Sequence, residues 1–174
     1  HPIMLQASFD GVPFKHPDLD RWRDNRNGVQ TLHKETGFLA FGAIDDVWID
    51  ASGKLFVVDY KATSSELEAT LDGEWKKSYK RQAEVYQWLL RRNGFTVSDR
   101  AYFVYANGDK SKSTFDACLH FLMSVLPYDG SDAWVPEALQ EAHLCLLRDE
   151  IPGPNALCQF CVYAHKASQK ELTV

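Results

Sequence analysis

Asp45, Asp59 and Lys61 are the residues of this chain best suited by type and spacing to do chemistry. Asp59 and Lys61 stand two apart in the run Leu-Phe-Val-Val-Asp-Tyr-Lys that begins at Leu55. Alternate residues of a strand share a face, so both side chains project the same way. They close an otherwise apolar segment, where an unpaired charge is costly to desolvate. A turn over Asp50-Ala-Ser-Gly brings Asp45 onto the neighbouring strand, within reach of Asp59. Two carboxylates and an ammonium on one sheet surface suit Mg²⁺, which prefers oxygen ligands and often takes only one or two carboxylates. The same residues also suit a plainer arrangement, with Asp59 and Lys61 as a strand-end ion pair and Asp45-Asp46 capping a turn. Spacing alone leaves both open.

The elements that position these residues can be read from hydrophobic periodicity. Residues 29–34 form a short strand. Residues 38–61 read as one β-hairpin, its strands at 38–49 and 55–61 rich in β-branched and aromatic side chains. The unbroken apolar run suits a strand covered on both faces. Tyr79, Ala83, Tyr86 and Leu90 recur at three- and four-residue intervals, which predicts a helix over 79–92 that Asn93-Gly94 stops. Further strands are expected at 100–105 and 121–126, and a second helix at 134–148 with Pro136 in its first turn. Pro2, Pro13 and Pro17 exclude a continuous helix from residues 1–28, which read as a loop-rich lead-in. The order predicts a mixed α/β domain with helices packed on a sheet.

Composition narrows the function classes. The 174 residues suit a single domain, with lead-in 1–28, core 29–126, and a helix and cysteine tail over 127–174. A 13% aromatic content argues against a mainly disordered chain. The net charge of -5 disfavours a protein that coats nucleic acid with a uniformly basic surface, although a local basic groove remains compatible with it. No run approaches the ~18 apolar residues of a membrane span. No charged-then-apolar leader opens the chain, so a cytoplasmic protein with no membrane partner is expected. The sequence opens on His1 rather than Met and reads as a fragment.

Gly42-Ala-Ile-Asp45, then Asp59-Tyr60-Lys61, then Gln82-Ala-Glu-Val-Tyr86 resemble, in order and spacing, the PD-(D/E)XK nuclease superfamily. The similarity is greatest to its RecB-type branch, which includes the CRISPR-associated exonucleases. That branch carries a G-x-x-D strand, a D/E-x-K strand and a helix with Q-x-x-x-Y. The resemblance implies a restriction-endonuclease-like fold, a mixed central sheet flanked by helices with a cysteine-bearing C-terminal tail. It implies Mg²⁺ or Mn²⁺ held by Asp45, Asp59 and the Tyr60 carbonyl, with Lys61 positioning or polarising water and with Gln82 and Tyr86 orienting Lys61 or the substrate. The implied activity is hydrolysis of DNA at ends or in single strands. An inactive DNA-binding or scaffold module on the same fold is the alternative, because the branch's upstream His ligand has no match in His16 or His33. For Gln82 and Tyr86 taken alone, packing of an amphipathic helix is the competing explanation.

Two further groups stand outside those motifs. Cys158 and Cys161 form a C-x-x-C pair, with Cys145 thirteen residues earlier. Such thiols read either as metal ligands or as buried core residues, and Cys118 as a core residue. The RecB-type branch uses four cysteines for an iron–sulfur cluster. By that resemblance Cys145, Cys158 and Cys161 would hold a 4Fe-4S cluster or zinc, with at least one ligand missing from this chain, since position 167 is Ala167. Lys76, Lys77, Lys80 and Arg81 crowd the start of the Gln82 helix, interleaved with Trp75 and Tyr79. Cations there suit DNA phosphates and an exposed aromatic suits an unpaired base, while a solvated helix face accounts for the same residues without a ligand. A structural metal-tail protein that does not bind DNA is the third and bluntest alternative.

Overall fold

The computed structural model describes residues 2–111 and 117–171. Contacts divide the chain into two compact units, His1–Glu137 and Ala138–Val174. The first contains a five-stranded mixed sheet, built from β1 (Gly11–Pro13), β4 (Asp46–Asp50), β5 (Leu55–Thr63), β6 (Arg100–Gly108) and β7 (Phe121–Asp129) in that spatial order. Its helices are α1 (Pro2–Gln6), α2 (Leu19–Trp22) and α3 (Lys77–Arg92). β5 and β6 are parallel, and every other neighbouring pair is antiparallel. A parallel pair needs a crossover, and α3 supplies it. A separate antiparallel pair, β2 (Val29–His33) and β3 (Phe38–Gly42), packs with β5 against α3. The result is a mixed α/β architecture with helices flanking the sheet, consistent with a restriction-endonuclease-like fold.

Three expectations change. Residues 38–61 are not one hairpin: the first strand breaks at Ala43, and β3 pairs back with β2 while β4 pairs with β5. The continuous apolar run concealed that corner, because β3 is apolar on both faces even though its Leu39 and Phe41 are exposed. The lead-in is also more than loop. β1 forms a sheet edge against β4, and Met4 and Phe9 join Trp48, Val58, Tyr102 and Val104 in a core cluster. Short segments with few residues carry too little periodicity to announce themselves. The cysteine tail is helical in part, since α5 (Gln159–Glu171) follows Cys158.

Within the second unit α5 is the main element, together with most of α4 (Val135–Leu146), which starts at the end of the first unit. Among the described residues no helix is long and apolar enough to cross a membrane.

Candidate active site

Alternation along β5 decides which side chains meet. Val58 enters the cluster with Met4 and Trp48, so Val57, Asp59 and Lys61 lie on the opposite face, and α3 packs against β5. Asp59 is 3% exposed. The Lys61 ammonium lies 2.5 Å from Asp59 Oδ2. Lys61 Nζ also donates to Gln82 Oε1 at 3.2 Å, and Gln82 Nε2 donates to Tyr86 Oη at 2.9 Å. Gln82 and Tyr86 are one helical turn apart and so share a face of α3. One polar relay therefore runs from Asp59 through Lys61 and Gln82 to Tyr86.

Asp45 reaches this site from the end of the neighbouring strand. β4 starts only at Asp46, opposite Val58, so the ladder stops before Tyr60. The Tyr60 N–H instead donates to Asp45 Oδ2 at 2.8 Å. A strand residue directs its N–H and C=O toward one neighbour, so the Tyr60 carbonyl points to the same edge. Asp46 serves a different purpose. Its Oδ1 accepts from Arg23 Nη2 and the Val47 N–H, both at 2.9 Å, and its Oδ2 accepts from the Tyr60 hydroxyl at 3.0 Å. Of the adjoining acids only Asp45 is left open to solvent.

The electrostatics follow from burial. Desolvation pushes the Asp59 carboxyl above its ordinary value against the pull of Lys61, and the charge of Asp45 adds to the rise. Tyr86 is pushed up to about 12, mainly by burial, with Asp59 and Asp45 contributing. Tyr60 is pushed up to about 12 by burial and then by Asp46. Tyr86 and Tyr60 therefore remain protonated at neutral pH. Asp45 stands beside Asp59 because its Oδ2 accepts from the N–H of Tyr60, the next residue along β5.

These residues fit a divalent ion. Asp59 Oδ2 is buried against the Lys61 ammonium, 2.5 Å away. A buried carboxylate charge is costly unless paired, and Lys61 supplies that pairing here. The donors at hand are all oxygens, as a hard cation prefers. Among the described residues no third His, Cys, Asp or Glu joins them. His16 is stacked 4.5 Å from the Trp22 ring, and His33 is buried beside Thr36, Glu35 and Trp88.

The lysine-rich start of α3 is not one basic patch. Lys76 lies in a single turn of 3₁₀ helix (Glu74–Lys76) ahead of α3 and is buried, so the reading of it as a surface phosphate contact is corrected: its ammonium donates to Tyr105 Oη at 2.6 Å. Lys77 is exposed but pairs with Glu74 at 2.8 Å. Lys80 lies 5.4 Å over the Tyr128 ring and Arg81 5.9 Å over the Trp134 ring.

The cysteines also depart from expectation. Cys118 is exposed rather than in the core. Cys145 does not complete a three-ligand group with Cys158 and Cys161 among the described residues. Cys158 lies just before the first turn of α5. Hydrogen bonds from the Cys161 N–H, the Cys161 side chain and the Phe160 N–H hold its thiol below the usual range.

Three supporting residues carry no motif. Arg23, in the lead-in, donates from Nε to the Asp45 carbonyl at 2.9 Å while its Nη2 holds Asp46, and the Ile44 N–H donates to the Trp22 carbonyl. The corner between β3 and β4 is thereby pinned by α2. Tyr79 seats Lys61, whose ammonium lies 4.4 Å from the ring centroid. Glu84 is buried and accepts from the Tyr128 hydroxyl, the Ser131 N–H and Trp134 Nε1, which ties α3 to the end of β7. Tyr79 stood out in the sequence only by its helical spacing and its place among the lysines, and nothing in the sequence tied Arg23 to Asp45.

Compared with known families, residues 14–165 match the model of the PD-(D/E)XK nuclease superfamily, a span that contains the whole Asp45–Tyr86 constellation. No curated protein and no solved structure gives a significant match.

Proposed function

The chain belongs to the PD-(D/E)XK nuclease superfamily, and we propose that it is a Mg²⁺- or Mn²⁺-dependent deoxyribonuclease of the RecB-type exonuclease class, acting on DNA ends or single strands. The superfamily supports phosphodiester hydrolysis, and divalent metals are its usual cofactors. The observation that carries the proposal is the buried Asp59–Lys61 pair, continued by Gln82 and Tyr86 on α3 and faced by Asp45 across the end of β4.

Asp45, Asp59 and the Tyr60 carbonyl would hold the ion. When bound, it supplies Lewis acidity to the phosphate and to water. Lys61, fixed by Asp59, Gln82 and the Tyr79 ring, is set to hold the attacking water or a phosphate oxygen with its remaining N–H donor capacity. Gln82 acts through Lys61. It spends its carbonyl on the ammonium and its amide on Tyr86, so neither group swings freely. Such fixed alignment is worth more to a displacement than any single added contact.

The test is cleavage of end-labelled single- and double-stranded DNA by the purified protein with Mn²⁺ or Mg²⁺. Wild type is expected to cut, Asp59→Ala to be inactive, and Gln82→Ala to be slowed with its metal requirement unchanged. DNA left intact by wild type and Asp59→Ala alike would defeat the proposal. Metal-independent binding of DNA without cutting would favour the inactive DNA-binding module on this fold, the reading motivated by the absence of a His near Asp45 and Asp59 among the described residues.

A further inference from the structure

Lys76 is 6% exposed and has no carboxylate partner among the described residues. Aromatic rings surround its ammonium instead, at 4.0 Å from the Trp75 centroid, 4.6 Å from Tyr105 and 5.4 Å from Tyr79. A desolvated cation over an indole is a favourable pairing, and here it holds one face of the Trp75 ring. Trp75 meets Tyr79 edge-on at 5.4 Å, yet it is 63% exposed, the most exposed of the five tryptophans. An ammonium on one face and an edge contact leave the other face as the open area. Tyr79 also carries the Lys61 ammonium, so the open indole is two ring contacts from the proposed catalytic lysine.

An aromatic face beside a phosphodiester site can take a base by stacking, whatever the base, because every base has a π-face. A base inside a duplex already has both faces stacked and would first have to be unstacked. We infer that Trp75, held by Lys76 and Tyr79, is a stacking platform for an unpaired base next to the scissile phosphate, which makes single-stranded DNA or a frayed end the preferred substrate. The inference rests on the nuclease reading above for the identity of the ligand.

The experiment uses the full chain with Trp75→Ala and Trp75→Phe, variants at an exposed position whose folding is checked by thermal melting. In Mn²⁺, Trp75→Ala is expected to cut a labelled single strand with kcat/KM lower by about tenfold or more, and Trp75→Phe to keep most of the rate. Binding of a single strand carrying 2-aminopurine should change its fluorescence with wild type and not with Trp75→Ala. If wild type cuts and Trp75→Ala cuts the single strand equally fast, the platform is overturned while the nuclease reading stands. If wild type cuts nothing, the nuclease reading fails, and the 2-aminopurine signal decides the platform: a Trp75-dependent change supports it, and no change, or an equal change with Trp75→Ala, overturns it.

Discussion

Gly42 passes the ring of Tyr86 so closely that a β-carbon on it would lie 2.7 Å from Cε1 and 3.1 Å from Cδ1. The glycine of the G-x-x-D run and the tyrosine of the Q-x-x-x-Y run are thus two sides of one contact, where β3 crosses α3. The spacing from Gly42 to Asp45 follows from it: the strand touches α3 at Gly42, turns at the corner held by Arg23, and delivers Asp45 to Tyr60. Gly42→Ala is expected to cost about 1–3 kcal/mol by overpacking. Urea denaturation should show this loss, and a smaller one when Tyr86 is already Ala, since the two changes share one contact.

Arg23 holds the Asp45 carbonyl and the Asp46 carboxylate at once. Arg23→Ala should lower kcat for Mn²⁺-supported DNA cleavage by about ten- to a hundredfold, the scale of a small misplacement at a reacting centre. The thermal midpoint should move little, because the guanidinium is partly solvated. An unchanged kcat would remove Arg23 from the account.

Burial raises the Asp59 carboxyl in the folded protein. Above its unfolded value, near 4, the unfolded chain carries the charge more easily than the fold does. The group therefore opposes folding there, and the opposition fades as pH falls through the raised folded value. In metal-free buffer at neutral pH, Asp59→Asn should melt higher than wild type, and below about pH 4 the two should converge. Mn²⁺ should reverse the neutral-pH order by stabilising only the protein that binds it. Differential scanning calorimetry across pH, with and without Mn²⁺, reads both effects.

Much of this site was legible because its residues sit on regular elements. Asp59 and Lys61 share a face by strand alternation, and Gln82 and Tyr86 by helical spacing, so local periodicity was enough to group each pair. The choice of Asp45 over Asp46 came from the G-x-x-D pattern, and in the fold Asp46 is the one held by Arg23 and Tyr60. What was hidden depended on contacts distant in sequence. The corner at Ala43 interrupts no apolar pattern. The clamp by Arg23 spans more than twenty residues. Lys76 looked like one surface cation among several, and only the folded arrangement of Trp75, Tyr79 and Tyr105 around it makes its burial intelligible. Cys145 could be grouped with the C-x-x-C pair by number alone, and the fold does not gather the three.

The account stands on Asp45 and Asp59 sharing one divalent cation beside Lys61. Calorimetric titration with Mn²⁺ tests it most directly. One ion per chain should bind to wild type, and Asp45→Ala and Asp59→Ala should each abolish that binding, whereas Gln82→Ala should leave it in place. Binding that survives the loss of either carboxylate, or no binding to wild type at all, would contradict it.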